Sequence, residues 1–392
     1  MKIGVIGLGE RIATLAKEFK AADSSIQFVA VSDPTQTRLR VLQQLGDSPQ
    51  CYEDPTEMLA AHSFDILMIG SPNAMHLEHL RLALASDAPF IFAEKPVVVS
   101  IDETMELARL IARHDGRKRL MIGLVLRYSA LYRGLRAAQA AGQIGEVMSI
   151  EASEHIAPFH GSFFMRDWRR STQMSGGFML EKCCHDIDLY QGAVGARAMR
   201  VASFGGRKKY LPERRPAREP AYLAAKLPRW GGINDAFSGA ADIIDYQTAI
   251  VEYATGASLS FHTNLNVPDQ FRRFAVIGVD GMAEGDFIRN TFRVTLSDNG
   301  EVVTDRAAIG SGSEHGHYGA DAAMAADILA HVKGDLPDLP LDVVDALEAG
   351  VTAIAMDVAR NEGRVVELAD IWTRFDAALA GEPEDEAGAS AA

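Results

Sequence analysis

The sequence predicts an α/β domain with a doubly wound parallel sheet, followed by an α+β domain with an open, mostly antiparallel sheet. The first domain is indicated by a glycine-containing turn after the first strand, and by strands and helices that alternate up to about residue 123. The second is indicated by three strand pairs, each centred on a residue type that tolerates positive φ. A length of 392 residues supports two hydrophobic cores.

The first strand and its turn predict a site for a dinucleotide. Residues 1 to 7 form a short apolar strand, and the next residues lead directly into a helix with periodic apolar positions. The first glycine permits a tight turn, and the second lets a pyrophosphate approach the free N–H groups of the helix. The pattern usually has a third glycine where this chain has Ile12. The residues expected to bind the cofactor here are Gly7, Gly9, Glu10 and Arg11.

The second strand, residues 27 to 32, favours NAD over NADP as the cofactor. It ends at Asp33, about where a carboxylate binds the ribose 2'-hydroxyl in such folds. No arginine follows Asp33 directly, and the carboxylate would repel the 2'-phosphate of NADP.

Alternating elements complete a Rossmann domain over residues 1–123. Its further helices are expected over residues 36–45 and 101–114 and after Asn73, and its further strands over residues 65–70, 89–93 and 120–125.

The second domain, residues 124–375, is predicted from turn signals in the chain. Its strand pairs are expected over residues 252–261, 274–283 and 293–304. Its helices are expected over residues 320–333 and 342–361. Small and acidic residues dominate the end of the chain, so residues 376–392 are predicted to be a disordered tail.

Composition narrows the classes of partner and compartment. A net charge of −14 argues against nucleic acid or an anionic membrane as the main partner. No apolar run approaches the length of a transmembrane helix, and the first strand leaves no room for a signal peptide. Three cysteines do not make a disulfide framework, so we expect a cytoplasmic protein.

A basic, proline-rich segment runs against the overall charge. Residues 207 to 229 contain eight lysines or arginines and two acids. The segment is interpreted either as a solvated insertion, which we favour, or as a lid over an anionic substrate.

A carboxylate and an imidazole lie four residues apart after the pair Gly176-Gly177. If this segment is helical, Glu181, His185 and Asp188 fall on one face. Histidine can take a proton from a hydroxyl near neutral pH while a carboxylate holds its tautomer. The spacing favours acid/base chemistry, but such pairs are also common as structural pairs.

Two predicted strands end in residues suited to a ligand site. Ser71-Pro72-Asn73-Ala74-Met75-His76 follows one strand, and Glu94-Lys95-Pro96 follows the next. Ligands of open parallel sheets lie outside the carboxyl ends of the strands. Lys95 would therefore lie beside the nicotinamide, where a cation can hydrogen-bond a reacting hydroxyl or alkoxide.

These motifs together resemble the glucose-fructose oxidoreductase / inositol dehydrogenase (Gfo/Idh/MocA) family. The resemblance spans residues 1 to about 370 and includes Arg127-Tyr128-Ser129, residues 142 to 147, and residues 315 to 321. It implies a nicotinamide cofactor, preferably NAD, and a sugar or polyol held by Lys95 and the 181/185 pair. The cofactor residues that it implies are Gly7, Gly9, Asp33, Ser71, Asn73, His76, Glu94 and Lys95.

The resemblance also directs attention to residues on the substrate side. Family members commonly have Asp where this chain has Glu181, whose longer side chain could turn towards His185. The cluster of Arg166, Arg169 and Arg170 could meet a carboxylate or phosphate, or be a surface cluster. Further substrate-binding candidates are Arg127, Tyr128, His155, His160, Trp168, Arg169 and His317.

We expect no metal site at Cys183-Cys184-His185, because adjacent side chains on a helix point apart. The favoured function is an NAD-dependent dehydrogenase or reductase acting on a secondary hydroxyl of a sugar, cyclitol or sugar derivative. His185 would be the base, Glu181 would orient it, and Lys95 would stabilise the alkoxide. A glycosidase that retains NAD and a non-catalytic ligand-sensing regulator are the alternatives, and a homo-oligomer is expected.

Overall fold

A computed structural model describes residues 1–223, 233–311 and 314–382, with the backbone alone for residues 314–316. In these residues the first sheet has six parallel strands in the order β3-β2-β1-β4-β5-β6. Its strands are β1 (Lys2–Ile6), β2 (Gln27–Ser32), β3 (Gln50–Tyr52), β4 (Ile66–Ile69), β5 (Phe90–Ala93) and β6 (Leu120–Ile122). Its helices are α1 (Glu10–Ala22), α2 (Leu39–Gln44), α3 (Pro55–Ala61), α4 (His76–Ala85), α5 (Ile101–Arg113) and α6 (Gly116–Arg119).

The second sheet is mixed but mostly antiparallel. Its order in the described part of the chain is β14-β13-β12-β11-β7-β10-β9-β8-β15, and only β7 and β10 pair in parallel. The strands are β7 (Val147–His155), β8 (Ala198–Gly206), β9 (Tyr246–Tyr253), β10 (Ser258–Asn264), β11 (Phe271–Gly278), β12 (Gly281–Asp286), β13 (Thr291–Leu296), β14 (Val302–Ala307) and β15 (Val366–Glu367). Both predicted sheet types are confirmed.

The described chain after residue 123 also forms helices, some of which pack on the second sheet and others on helices of the first domain. They are α7 (Ala130–Ala140), α8 (Pro158–Phe164), α9 (Thr172–Ser175), α10 (Phe178–Glu181), α11 (Cys184–Val194), α12 (Ala320–Lys333), α13 (Val343–Glu362) and α14 (Ala369–Leu379). The long helix α13 packs on both β8 and α11. Among the described residues, no helix has the length and hydropathy needed to cross a bilayer.

The final helix corrects the predicted start of the disordered tail. Helix α14 continues to Leu379 because Trp372, Phe375 and Ala378 are buried, and the Trp372 indole donates to the carbonyl of Ala198 at 2.6 Å. The rest of the predicted tail, residues 383–392, lies outside the described residues.

The described part of the basic segment, residues 207–223, is held by acids of the same chain. The Asp245 carboxylate accepts hydrogen bonds from the backbone N–H groups of Lys208, Lys209 and Tyr210. Arg215 pairs with Glu219 and Asp235. The remainder of the segment that was considered as a lid, residues 224–229, lies outside the described residues.

The position of Ile12 explains how the first helix packs without the third glycine. A β-carbon at Gly70, the residue after β4, would lie 2.1 Å from Cγ1 of Ile12. Helix and sheet can therefore pack closely because Gly70, just after β4, has no side chain, although position 12 of the helix is not a glycine. Ile12 is fully buried in this position.

This packing predicts a coupled effect on stability. Gly70→Ala should lower the free energy of unfolding by about 1 to 3 kcal/mol, because the added methyl group overpacks against Ile12. In an Ile12→Ala background, the same substitution should have a smaller effect. Urea unfolding of the four proteins measures the coupling, and an equal penalty in both backgrounds would contradict it.

Candidate active site

The glycine turn has the geometry of an anion cradle. Gly7 has a φ of +80°, and a β-carbon there would lie 2.5 Å from the backbone nitrogen of Ser71. Helix α1 begins after Gly9, which provides no side-chain cap for the free N–H groups of the first turn. The turn lies between β1 and β4, where the strand order reverses. These features fit the pyrophosphate of a dinucleotide.

Asp33 lies beside this turn with its carboxylate already engaged. One oxygen accepts the N–H of Leu8 at 2.9 Å, and the other accepts the N–H groups of Thr35 and Gln36. The Thr35 hydroxyl donates to that second oxygen as well. Asp33 therefore shapes the turn, and the oxygen that faces Leu8 keeps one lone pair for a ribose hydroxyl.

Arg11 and Glu10 form ion pairs at the start of α1. The Nε of Arg11 lies 3.3 Å from Glu94, and its Nη2 lies 2.5 Å from Asp321 of α12. Glu10 lies 3.3 Å from Arg38 on the surface. Both residues lie at the predicted cofactor turn, and Arg11 links it to the second half of the chain.

The residues after β4 connect the cleft loops to one another. His76 is buried, and its ring nitrogens lie 2.7 Å from the carbonyl of Pro96 and 2.9 Å from that of Ser71. The Ser71 hydroxyl lies 2.8 Å from His79. These contacts place His76 between the two loops, and its role as a cofactor contact stays a prediction.

Lys95 and Glu181 meet at the boundary between the two sheets. The Lys95 ammonium donates to the Glu181 carbonyl at 2.5 Å and lies 3.7 Å from its carboxylate. The Asn73 amide donates to the same carboxylate at 2.6 Å and to the Ser175 carbonyl at 3.0 Å. Arg169 lies 3.3 Å from the other carboxylate oxygen. The Lys95-Pro96 peptide is cis.

The expected alignment of Glu181, His185 and Asp188 on one helical face is not observed. Helix α10 ends at Glu181 and α11 begins at Cys184, so the helix is interrupted between them. Asp188 instead accepts two hydrogen bonds of 2.8 Å from Arg127. Because Glu181 binds Asn73 and Arg169, it does not orient His185, contrary to the prediction.

His185 is buried beside Lys95 with its Nδ1 unpartnered among the described residues. Burial, together with the charges of Lys95 and Arg272, lowers the pKa of His185 well below its usual value. The imidazole is therefore neutral at physiological pH and able to accept a proton.

A buried charge network beneath His185 was not found in the sequence. Lys182 lies 3.1 Å from Glu154 of β7, and Arg272 of β11 lies 2.7 Å from the same carboxylate. Arg272 also donates two hydrogen bonds to Asp186, at 2.8 and 2.6 Å. Strand alternation could have placed Glu154 and Arg272 on the inner face, but only the three-dimensional pairing brings them to Lys182.

Aromatic rings hold Arg169 at the rim of the cleft. Its guanidinium carbon lies 4.2 Å from the Trp168 ring centre and 4.4 Å from that of Phe163. His160 packs against Phe164, and burial together with the nearby Lys182 lowers the pKa of His160 to about 3. Arg169 thus lies between these rings and Glu181, and the substrate-side roles of Trp168, Arg169 and His160 stay predictions.

The other two arginines of the cluster at residues 166–170 donate hydrogen bonds to backbone carbonyl groups. Arg166 donates to the carbonyl of Leu223 at 2.9 Å, and Arg170 donates to the carbonyl of Asp167. The three arginines therefore do not converge on one anion site.

Three predicted substrate contacts are not brought to the cleft. Arg127 is buried against Asp188, and Tyr128 is buried in the core. The ring of His155 packs at a tilt against Phe271, with the ring centres 4.6 Å apart. Because side chains alternate along β7, His155 lies on the sheet face opposite Glu154 and away from Lys182.

His317 lies on the second-domain side of the cleft. Its Nδ1 is 3.0 Å from Asp321, the residue that also binds Arg11. Cys183 and Cys184 are buried, and burial raises the pKa of both thiols. The described residues contain no group of three or more His, Cys, Asp or Glu side chains arranged to hold a metal.

A nucleotide cradle facing a lysine and a neutral imidazole defines an NAD(P)-binding oxidoreductase. Residues 1–123 match the oxidoreductase family model with an NAD-binding Rossmann fold, and residues 132–284 match the GFO/IDH/MocA C-terminal domain. The chain belongs to the GFO/IDH/MocA family, as the sequence motifs predicted.

Relatives of this chain include named dehydrogenases. Myo-inositol 2-dehydrogenase of Thermotoga maritima is 29% identical over 208 residues, which cover 52% of this chain and 58% of that enzyme. Inositol 2-dehydrogenase of Pseudomonas syringae is 30% identical over 175 residues, covering 43% and 49%. The chain thus matches about half the length of these relatives.

The same fold occurs in solved structures. Scyllo-inositol dehydrogenase of Lactobacillus casei with bound NAD(H) and scyllo-inositol aligns with a TM-score of 0.72 at 19% identity, over 94% of this chain and 99% of that one. An oxidoreductase domain protein of Kribbella flavida aligns with a TM-score of 0.76 at 18% identity, over 93% and 98%.

The structural role of Arg127 and Asp188 can be tested by stability. Asp188→Ala should lower the free energy of unfolding by about 3 to 5 kcal/mol, because it leaves Arg127 buried and unpaired. Asp305→Ala is the matched control. It breaks an exposed pair with Arg293 and should leave the free energy of unfolding nearly unchanged. Equal losses in urea unfolding would argue against the buried pair.

Proposed function

We propose that this protein is an NAD-dependent dehydrogenase or reductase acting on a secondary hydroxyl or ketone of a sugar, cyclitol or related polyol. The observation that carries the proposal is that Lys95, which follows β5 of the nucleotide-binding sheet, lies near His185, whose Nδ1 has no partner among the described residues. The inositol dehydrogenases among the relatives support a cyclitol or sugar as the substrate class.

Each residue has a role that follows from its contacts. A bound nicotinamide supplies the hydride acceptor or donor. Neutral His185 accepts the hydroxyl proton during oxidation and returns it during reduction. The Lys95 ammonium, held by the Glu181 carbonyl, stabilises the developing alkoxide. We assign Glu181 to positioning Lys95, because Asn73 and Arg169 fix its carboxylate.

NAD is the cofactor that we propose for the site. The charge of Asp33 and its remaining lone pair favour a ribose with a free 2'-hydroxyl. Arg38 is an opposing feature, since it lies just before α2 and its positive charge would attract a 2'-phosphate. It is paired there with Glu10.

The reacting pair can be tested with two substitutions. His185→Gln and Lys95→Met should each lower kcat by about a hundredfold or more, since each removes a group that handles the reacting proton or charge. NADH binding, followed by fluorescence, should be preserved. Lys17→Met, on the exposed side of α1, is the control. Full activity of His185→Gln would identify another group as the base.

The pKa of His185 adds a pH prediction to that test. Because the pKa is lowered, the neutral base persists below pH 6.5. The kcat/KM for oxidation should therefore stay level through pH 6.5 and fall only in more acidic buffer.

The cofactor preference can be measured by the ratio of two dissociation constants. The unmodified protein should bind NAD more tightly than NADP, so the Kd for NADP divided by the Kd for NAD should exceed one. Asp33→Asn should reduce this ratio, because it removes the repulsion of the 2'-phosphate. Both affinities should also fall, because the N–H of Leu8 loses a charged acceptor. Asp298→Asn, in an exposed turn, is the charge-matched control. Tighter binding of NADP by the unmodified protein would refute the assignment.

A further inference from the structure

A second imidazole of the cleft is held by a carboxylate. The Nδ1 of His317 lies 3.0 Å from one oxygen of Asp321, and Arg11 lies 2.5 Å from the other. Asp321 is 1% exposed, whereas the His317 side chain is 32% exposed. The carboxylate is therefore fixed from behind, and the imidazole keeps an accessible edge.

The backbone at His317 is strained. His317, Tyr318 and Gly319 have φ values of 48°, 49° and 91°, so two non-glycine residues are left-handed in succession. A left-handed conformation is unfavourable for a non-glycine residue and persists only where the surroundings impose it. The Tyr318 hydroxyl donates to the carbonyl of Ile288 at 2.7 Å, and α12 begins directly afterwards. Such strain is typical of residues that are placed for a ligand.

The charges around His317 determine which form it takes. Asp321 faces His317 from the first turn of α12, and Arg11 faces it from α1. Lys182 and His185 face it from the segment at the end of α10 and the start of α11. Burial lowers the pKa of His317, although the hydrogen bond to Asp321 opposes this. A neutral ring that donates Nδ1–H to a carboxylate presents Nε2 as a hydrogen-bond acceptor.

His185 is the acceptor for the reacting hydroxyl, and the other described charged groups near it offer a second hydroxyl mainly donors. Lys95, Lys182 and Arg169 present donors, and the nearby carboxylates of Glu181 and Glu154 are already bound by these cations and their neighbours. A polyol has hydroxyls that both accept and donate. The O–H group of its second hydroxyl therefore needs a hydrogen-bond acceptor.

We propose that His317 is a specificity-determining residue that accepts a hydrogen bond from a second hydroxyl of the substrate, and that Asp321 positions it. The inference rests on the proposed function and narrows its substrate class. The substrate is a compound with at least two hydroxyls within reach of the cleft, and an isolated secondary alcohol is a poor substrate.

Deoxy analogues provide the test. Kinetics of the holoenzyme are compared for a cyclitol that it oxidises and for analogues that each lack one other hydroxyl. One analogue should lose about a hundredfold or more in kcat/KM with the unmodified protein. His317→Ala should lower kcat/KM for the parent compound by a similar factor. It should change the value for that analogue by less than about threefold.

The pH profile tests the role of Asp321. Protonation of His185 lowers kcat/KM for both compounds at acidic pH. The parent compound should show an additional fall as His317 is protonated, and the deoxy analogue should lack this additional fall. Asp321→Asn removes the contribution that raises the pKa of His317, so the additional fall should move to lower pH. His262→Ala is the control, because His262 lies on the open face of the second sheet, near Thr248 and Ser260.

Three outcomes would overturn the inference. The first is an equal loss with the parent and all analogues in His317→Ala. The second is a weaker NADH complex with unchanged discrimination, which would place His317 at the cofactor. The third applies if no polyol is oxidised, in which case the proposed function fails. Calorimetric binding of parent and analogue to the NADH complex then still tests His317. Equal binding by His317→Ala and the unmodified protein would overturn the inference. If Asp321→Asn does not fold, the His317→Ala comparison decides.

Discussion

The buried carboxylate of Glu181 is the interaction on which the geometry of the cleft depends. A carboxylate in this position is stable only if donors surround it. Asn73 and Lys95 come from strand ends of the first sheet, and Arg169 comes from the loop before α9. The same contacts that neutralise Glu181 therefore lock the two halves of the site together. Because Asn73 and Arg169 fix the Glu181 carboxylate, Glu181 in turn fixes the position of the Lys95 ammonium.

The short segment after Glu181 distributes its charges in different directions. Lys182 turns to Glu154, Asp186 turns to Arg272, and Asp188 turns to Arg127. Successive residues of a helix point about 100° apart, so one segment can form the floor of the site and anchor it to the second sheet. The neutrality of His185 is a product of this arrangement, because cations and burial both disfavour its charged form.

Features with a local signal were predicted well from the sequence. The alternation of strands and helices, the glycine turn and the residues after the strands all follow from short-range patterns. Arg127, Tyr128 and His155 were misassigned because no local pattern shows whether a polar side chain is paired in the core or which sheet face it occupies. Ile12 departs from the glycine pattern, and the sequence alone did not show that Gly70, just after β4, leaves room for its side chain. Lys182 was missed because its partner is 28 residues away on β7.

The balance of charge in the cleft bears on the kind of molecule that fits there. Lys95, Lys182 and Arg169 each contact a buried carboxylate, so the cleft offers donors without a large local excess of positive charge. The chain as a whole carries a net charge of −14, which disfavours the approach of anions at low ionic strength. The described basic segment meets acids of its own chain. An uncharged polyol uses such donors fully, whereas an anion would have to compete with carboxylates that are already bound.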